Sequence, residues 1–301
     1  MYDGPVIDTH HHLWEVRNYP WLMAPPSPKI FGDSYELLRQ DYLIDDLLAD
    51  FDGHNIVKSV HVQAHYDPTN PVGETKWLQA VADKAGFPHG IAGYANLSDP
   101  EVEAMLAAHC AYPNFRAVRD VVYWQEGDPT RQAVDRPDYC LSAEYRRGVA
   151  LLGQYDLSLE LQGYWNQFDY FAELVGDNAG MNFCLMHGAM LTSDDDATFD
   201  DWRRALEVLV PFDNLFVKCS GANTYSPTGT VRAQDKIARQ YTTLLDLFGA
   251  DRCFFGSNFP VEKLNCSYDD VMAYFWAALS TRPPDEQRTF YHDTAARFYR
   301  L

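Results

Sequence analysis

The chain has 301 residues, of which 47% are hydrophobic and 22% charged. That is enough to bury one large core or two modest ones. With 43 acidic against 24 basic residues the formal charge is -19, which excludes sequence-independent binding to nucleic acid or to an anionic membrane surface, because both require a positive field.

The chain opens with Pro5 to Thr9, the first of eight short apolar runs rich in Val, Ile, Phe and Leu. The others are Val57 to Gln63, Gly90 to Ala95, Phe115 to Val121, Leu157 to Gln162, Asn182 to His187, Leu215 to Cys219 and Cys253 to Ser257. Longer stretches with helical spacing separate them, which predicts repeated strand–helix units rather than hairpins. Eight such units match a (β/α)8 TIM barrel spanning residues 1–301 as one domain. A doubly wound open sheet is the alternative, but the Gly-rich phosphate loop it would carry after the first strand is missing.

Among the connections, Asp99 can cap orphan amides and Pro100 fits a first helical turn, which predicts a helix over 99–109. Trp202, Ala205, Leu206 and Leu209, spaced three or four apart, predict another over 200–209. Two segments break the rhythm. Trp14 to Asp50 carries Pro20, Pro25, Pro26 and Pro28, and Trp124 to Asp138 carries Pro129 and Pro137. Both follow the C-terminal ends of strands, where barrels build substrate pockets.

The six cysteines (Cys110, Cys140, Cys184, Cys219, Cys253, Cys266) show no paired spacing, which suits a reduced, cytoplasmic setting. No apolar run approaches the roughly 20 residues of a membrane-spanning helix. The first motif begins within ten residues of Met1, so no cleavable leader is expected.

Chemistry concentrates where the runs end. Alternation along a strand projects His10 and His12 to one side and His11 elsewhere. Two imidazoles at a barrel mouth can chelate a metal, polarise a carbonyl or move protons, so His10 and His12 are candidate metal ligands and candidate catalytic residues. His187 ends the apolar stretch Phe183-Cys184-Leu185-Met186 and is the leading candidate base, with Glu160 and Glu262 as carboxylate alternatives. Glu262 equally fits a loop residue paired with Lys263. Arg116 and Arg119 cannot both face inward on a regular strand. Arg119, nearer the C-terminal end, is assigned to substrate, and Arg116 to a structural ion pair.

His61 and Gln63 share one face of the second strand, and His65 lies at its end, able to touch substrate or solvent. Trp14, Tyr19, Trp21, Tyr123, Trp124, Tyr164, Trp165 and Phe168 all follow strand ends. They can wall a pocket for a flat ring or a sugar face, although loop anchoring is expected for at least half. Trp14, Trp124 and Trp165 are taken as substrate-facing.

The run Ile7-Asp8-Thr9-His10-His11-His12-Leu13-Trp14, followed by Tyr19-Pro20-Trp21-Leu22, resembles the opening of the amidohydrolase-related (amidohydrolase 2) barrel hydrolases. It is most similar to their lactonase branch, which includes 2-pyrone-4,6-dicarboxylate lactonase and sugar-lactone hydrolases. The likeness continues through Val62-Gln63-Ala64, Glu160-Leu161-Gln162, His187-Gly188, Val217-Lys218-Cys219-Ser220-Gly221, Phe255-Gly256-Ser257-Asn258-Phe259-Pro260-Val261 and Ala295-Ala296-Arg297-Phe298-Tyr299.

The resemblance implies that His10 and His12 lie in the site with His187 beside them, that Gln63 and Gln162 line it, and that the eighth strand delivers a catalytic side chain, here Asn258. Many relatives carry a carboxylate at that position. An amide cannot act as a general base and is a poor zinc ligand, though it can hydrogen-bond a water or a carbonyl. A site of His10, His12 and Glu160 could hold one divalent metal, zinc by ligand type, and metal-independent hydrolysis is the equal alternative.

The expected reaction is hydrolysis of a lactone by water attack on the ring carbonyl. It needs no nucleophilic serine, and no Gly-x-Ser-x-Gly elbow is present. The alternatives are a metal-dependent decarboxylase of an aromatic or unsaturated acid and an inactive barrel acting as a binding protein. The expected partner is a small lactone or carboxylate, with no nucleic acid and no membrane, and a homodimer is the assembly considered.

Overall fold

In the computed structural model, residues 2–23, 32–223 and 231–301 are described. Pro25, Pro26 and Pro28 of the first long connection lie outside them. Each of the eight apolar runs contributes a strand: β1 Val6–His11, β2 Ile56–Val62, β3 Gly90–Gly93, β4 Phe115–Val121, β5 Ser158–Gln162, β6 Phe183–Leu185, β7 Leu215–Cys219 and β8 Cys253–Phe255. They pair in parallel and in sequence order from β1 to β8, and a helix follows each strand. This is the (β/α)8 TIM barrel that the spacing predicts.

The strand sequences suit burial on both faces; every residue of β1, β5 and β7 is buried. One set of side chains, including Leu215, Val217 and Cys219, packs outward against the helices. The alternate set, including Ile7, Val60, Ala92, Cys184, Phe216 and Phe254, fills the barrel. Ala295, Phe298 and Tyr299 from the last helix, Thr294–Tyr299, pack onto this inner set.

Two helices differ from their sequence expectations. The first spans Val102–Cys110, because the Asp99 carboxylate accepts from the Glu101 amide at 2.8 Å and closes a local turn ahead of the helix. The second spans Asp196–Leu206, since the Asp195 side chain caps it by accepting from the Thr198 amide. Leu209 is buried beyond its end.

Closure between β8 and β1 rests, among the described residues, on a bridge between His11 and Phe259. The Asn258 amide donates to the His10 carbonyl at 2.6 Å and the His12 amide to the Phe259 carbonyl at 2.7 Å. Below them Ser257 donates its amide to Asp8 Oδ1 at 2.9 Å, and Thr9 Oγ1 donates to the Phe255 carbonyl at 2.5 Å. No helix among the described residues is long and apolar enough to cross a membrane. All six cysteines are free thiols.

Candidate active site

A cavity of about 570 Å³ opens at the C-terminal ends of the strands, with His12, Trp14, Gln63, Arg119, Gln162, His187 and Asn258 in its wall. How β1 delivers its histidines depends on an irregularity. Ile7 belongs to the inner set, and regular alternation from it would carry Thr9 and His11 inward. A register shift between Asp8 and His11 inverts the parity and re-aims His10 and His12. His11 turns away to hydrogen-bond Ser59 at 2.9 Å.

The Nε2 atoms of His10 and His12 lie 3.3 Å apart. His12 Nδ1 donates to the Val62 carbonyl at 2.8 Å. The rings of His10 and His187 are 4.6 Å apart, and Ser220 Oγ sits between them, 3.4 Å from His10 Nδ1 and 3.2 Å from His187 Nδ1. Room for this approach comes from two glycines. A Cβ on Gly221, whose φ is +64°, would meet His187 Nδ1 at 2.5 Å, and one on Gly256 would meet His10 Cβ at 2.7 Å.

Burial holds the three imidazoles neutral. His12 is lowered to about 3, first by desolvation and then by the Arg119 charge. His10 and His187 are lowered well below the usual imidazole range, again first by desolvation. His187 and Asn258 also adopt left-handed backbone at φ of 53° and 63°, a conformation costing roughly 1–2 kcal/mol in an L-residue, so local strain collects at the cavity.

Across the cavity Arg119 donates to the Gln63 carbonyl at 3.3 Å and to Gln162 Oε1. Gln63 Oε1 accepts from the His65 amide at 2.7 Å. That bond fixes the amide's orientation and leaves Nε2, a buried donor, with no hydrogen-bond partner among the described residues. Trp14, Trp21, Tyr66, Tyr94 and Tyr123 supply flat walls.

Glu160 does not reach this wall. Its carboxylate lies inside the barrel, 2.7 Å from Lys218 Nζ and bonded to the Tyr299 hydroxyl at 2.5 Å, so it cannot join His10 and His12 around an ion. Trp124 and Trp165 are absent from the lining. Trp124 donates its amide to Gln167 Oε1 at 2.8 Å, and Trp165 packs against the outer core. Glu262 accepts from Asn223, while Lys263 pairs with Asp50 at 2.6 Å instead. Arg116 donates to the Pro113 and Phe115 carbonyls and makes no ion pair among the described residues, against expectation. His61 faces outward to the Leu13 carbonyl; Gln63 diverges from it because β2 ends at Val62. His65 is exposed at the cavity rim.

Sequence reasoning missed Glu74, which is buried in the wall and accepts from the Tyr19 hydroxyl at 2.9 Å and the Ala64 amide at 3.0 Å. Burial pushes its carboxyl up to about 7. Lying in the first turn of helix Pro71–Ala85, it reads in sequence as an ordinary dipole-complementing acid. Ser220 was visible only as part of a motif.

The His10–His12 pair fits a divalent cation. Tetrahedral coordination with Zn–N bonds of about 2.0–2.1 Å sets two nitrogens about 3.3 Å apart, which is the separation of the two Nε2 atoms. The Val62 carbonyl and Ser220 hydroxyl stand behind the rings, where ligating histidines find their outer partners. No group of three or more His, Cys, Asp or Glu among the described residues could hold an ion, so the remaining positions would fall to water or substrate.

The amidohydrolase family profile matches residues 7–301. The chain belongs to the amidohydrolase family. Within it, the chain is 39% identical to an uncharacterized protein, y4mH, of Sinorhizobium fredii over 100% of both chains. It is 28% identical to an L-fucono-1,5-lactonase of Burkholderia multivorans, over 98% of this chain and 96% of that one. A crystal structure of an amidohydrolase from Burkholderia multivorans, with bound zinc, superposes with a TM-score of 0.81 at 25% identity, covering 99% of this chain and 100% of that one. These relatives bear out the lactonase branch of amidohydrolases expected from the opening motif, and a hydrolase.

Proposed function

We propose that this amidohydrolase opens a lactone, and that its substrate is a neutral sugar-acid lactone rather than a doubly carboxylated ring. The observation that carries the reading is the convergence of His187, Asn258, Arg119 and Gln63 on one aromatic-walled cavity. In this reading the ring stacks on the tryptophan and tyrosine walls while Gln63 Nε2 and the Arg119 guanidinium hold the carbonyl oxygen. Asn258 orients the attacking water and His187 takes its proton. A C–O bond forms to the water oxygen, the ring C–O bond breaks, and the departing alkoxide recovers the proton from His187, leaving the hydroxy acid. A divalent cation held by His10 and His12 would supply Lewis-acid polarisation of the carbonyl instead, and the base role of His187 belongs to the pair without a cation.

Charge supports the choice of substrate. Arg119 is the one arginine or lysine in the cavity wall among the described residues, and Glu74 stands in the same wall. Two substrate carboxylates would meet one guanidinium inside a protein of formal charge -19. The similarity to L-fucono-1,5-lactonase supports the same choice.

The test is a panel of sugar-acid lactones and carboxylated muconolactones, with acid release as readout. Turnover concentrated among the neutral lactones is expected. No acid release across the panel by a folded sample overturns the proposal.

A further inference from the structure

Three imidazole rings and one hydroxyl form a continuous chain in which each proton position dictates the next. It begins at His12 Nδ1, which faces the Val62 carbonyl at 2.8 Å. A carbonyl has no proton to give, so His12 carries its ring proton on Nδ1 and presents Nε2 as a lone pair. His10 Nε2 stands 3.3 Å from that lone pair.

The Asn258 side chain also hydrogen-bonds His12, but the group that faces His10 Nε2 is the His12 lone pair, so in the metal-free pair His10 places its proton on Nε2; a lone pair there would be left buried and unmet, at about 1–3 kcal/mol. His10 Nδ1 is then an acceptor, and Ser220 Oγ, 3.4 Å away, donates to it. A serine hydroxyl has one proton. Its oxygen must therefore accept from His187 Nδ1, 3.2 Å away on the other side, and His187 carries its proton on Nδ1 with Nε2 as the acceptor. This is the tautomer a base requires.

When a divalent cation occupies the pair, both Nε2 lone pairs point at it. His10 must then hold its proton on Nδ1 and donate to Ser220 Oγ, the hydroxyl proton turns to His187 Nδ1, and His187 carries its own proton on Nε2. No protons are gained or lost along the chain; three change position.

We propose that Ser220 couples the state of the His10–His12 pair to the tautomer of His187, so that filling the pair converts His187 Nε2 from hydrogen-bond acceptor to donor. Ser220 is here a positioning residue, acting through His187. The coupling uses only side-chain geometry and stands whether or not the substrate is a lactone. Gly221 leaves room for His187 Nδ1 to reach the hydroxyl, since a Cβ there would meet that nitrogen at 2.5 Å.

The experiment is two-dimensional proton–nitrogen NMR on the full chain with ¹⁵N-labelled histidine, above neutral pH, first after removal of metal by a chelator and then with added zinc. The expected result is His187 protonated at Nδ1 in the metal-free protein and at Nε2 with zinc. In Ser220→Ala, zinc is expected to perturb the His10 and His12 signals as before while the His187 tautomer no longer follows. Ser220→Thr keeps the hydroxyl and should keep the coupling, so a poorly folded alanine variant leaves a second comparison, in which loss of the coupling counts against the proposal. An unchanged His187 tautomer, zinc that leaves His10 and His12 unperturbed, or a Ser220→Ala variant that switches like the parent overturns it. None of these results would alter the lactone panel, so the two proposals fail separately.

Discussion

Lys218 Nζ lies 2.7 Å from Glu160 Oε2, and both side chains are wholly shielded from solvent inside the barrel. Removing one partner leaves the other charged, buried and uncompensated. Glu160→Gln or Lys218→Met should therefore lower the unfolding free energy by about 3–5 kcal/mol. The double variant should recover much of that loss, because no lone charge remains. Urea unfolding of the four proteins measures this, and a double variant less stable than either single one contradicts it.

His187→Ala should reduce kcat on a lactone by about 10²- to 10⁴-fold, the range expected when a positioned general base is lost. Near-native circular dichroism should accompany the loss. A variant with full rate removes His187 from the mechanism.

Gln63→Leu keeps the side-chain volume but deletes the donor that has no partner among the described residues, together with the acceptor of the His65 amide. If that donor holds the substrate, kcat/KM should fall by roughly 5- to 150-fold, corresponding to about 1–3 kcal/mol for one buried hydrogen bond. The check is steady-state kinetics on one sugar lactone; unchanged kcat/KM would falsify the assignment.

Gly221→Ala places a Cβ 2.5 Å from His187 Nδ1 at a φ of +64°. The backbone alone should cost about 1–2 kcal/mol. The displaced imidazole should lower kcat by tenfold or more, since misplacement by about 1 Å can cost on the order of 10² in rate. Stability and kcat measured on the same preparation test both parts, and an undiminished kcat would show that the contact does not position the ring.

Glu74 supplies a pH signature. Burial raises its carboxyl from 4.5 to about 7 in the folded protein, so the folded state holds the proton more tightly than the unfolded state does. Its contribution to stability is fully present below about pH 4.5 and is lost as pH rises through about 7. His109 acts in the opposite sense over an overlapping range, because burial lowers it to about 4 and its contribution is lost as pH falls. The useful quantity is therefore the difference between the parent and Glu74→Gln. Across that rise in pH the parent should lose about 3 kcal/mol relative to the variant, at about 1.4 kcal/mol per pKa unit. Parallel curves in denaturant would contradict it.

The barrel was legible because strands buried on both faces leave continuous apolar runs, and β4 and β7 have the bounds those runs suggest. Helix starts were less so, since Asp99 and Asp195 compete for backbone amides through local turns and caps. Within the cavity, the shared direction of His10 and His12 follows from simple alternation. That they face inward does not, because it depends on the register shift after Asp8. Glu160 looked like a site carboxylate because its partner, Lys218, is two strands further along the chain. Trp124 and Trp165 follow strand ends as Trp14 does, but loop packing, to which no local pattern speaks, decides which ring reaches the cavity. Ser220 shows in the sequence only as part of a motif, because its importance lies in having one proton and two imidazole neighbours.

The seam between β8 and β1 bears on how the protein is made. Asn258 and His10 meet there across a backbone hydrogen bond, yet one lies just beyond the eighth strand of the barrel and the other in the first. During translation Val62 and Ser59 reach the β1 histidines early, but His10 must wait for Ser220 and Asn258 until the seventh and eighth strands have left the ribosome. Early strands can pair with their neighbours as they emerge, whereas the reacting constellation arises in the final closing step. A truncated or stalled chain can thus hold much of the sheet and still have no working site.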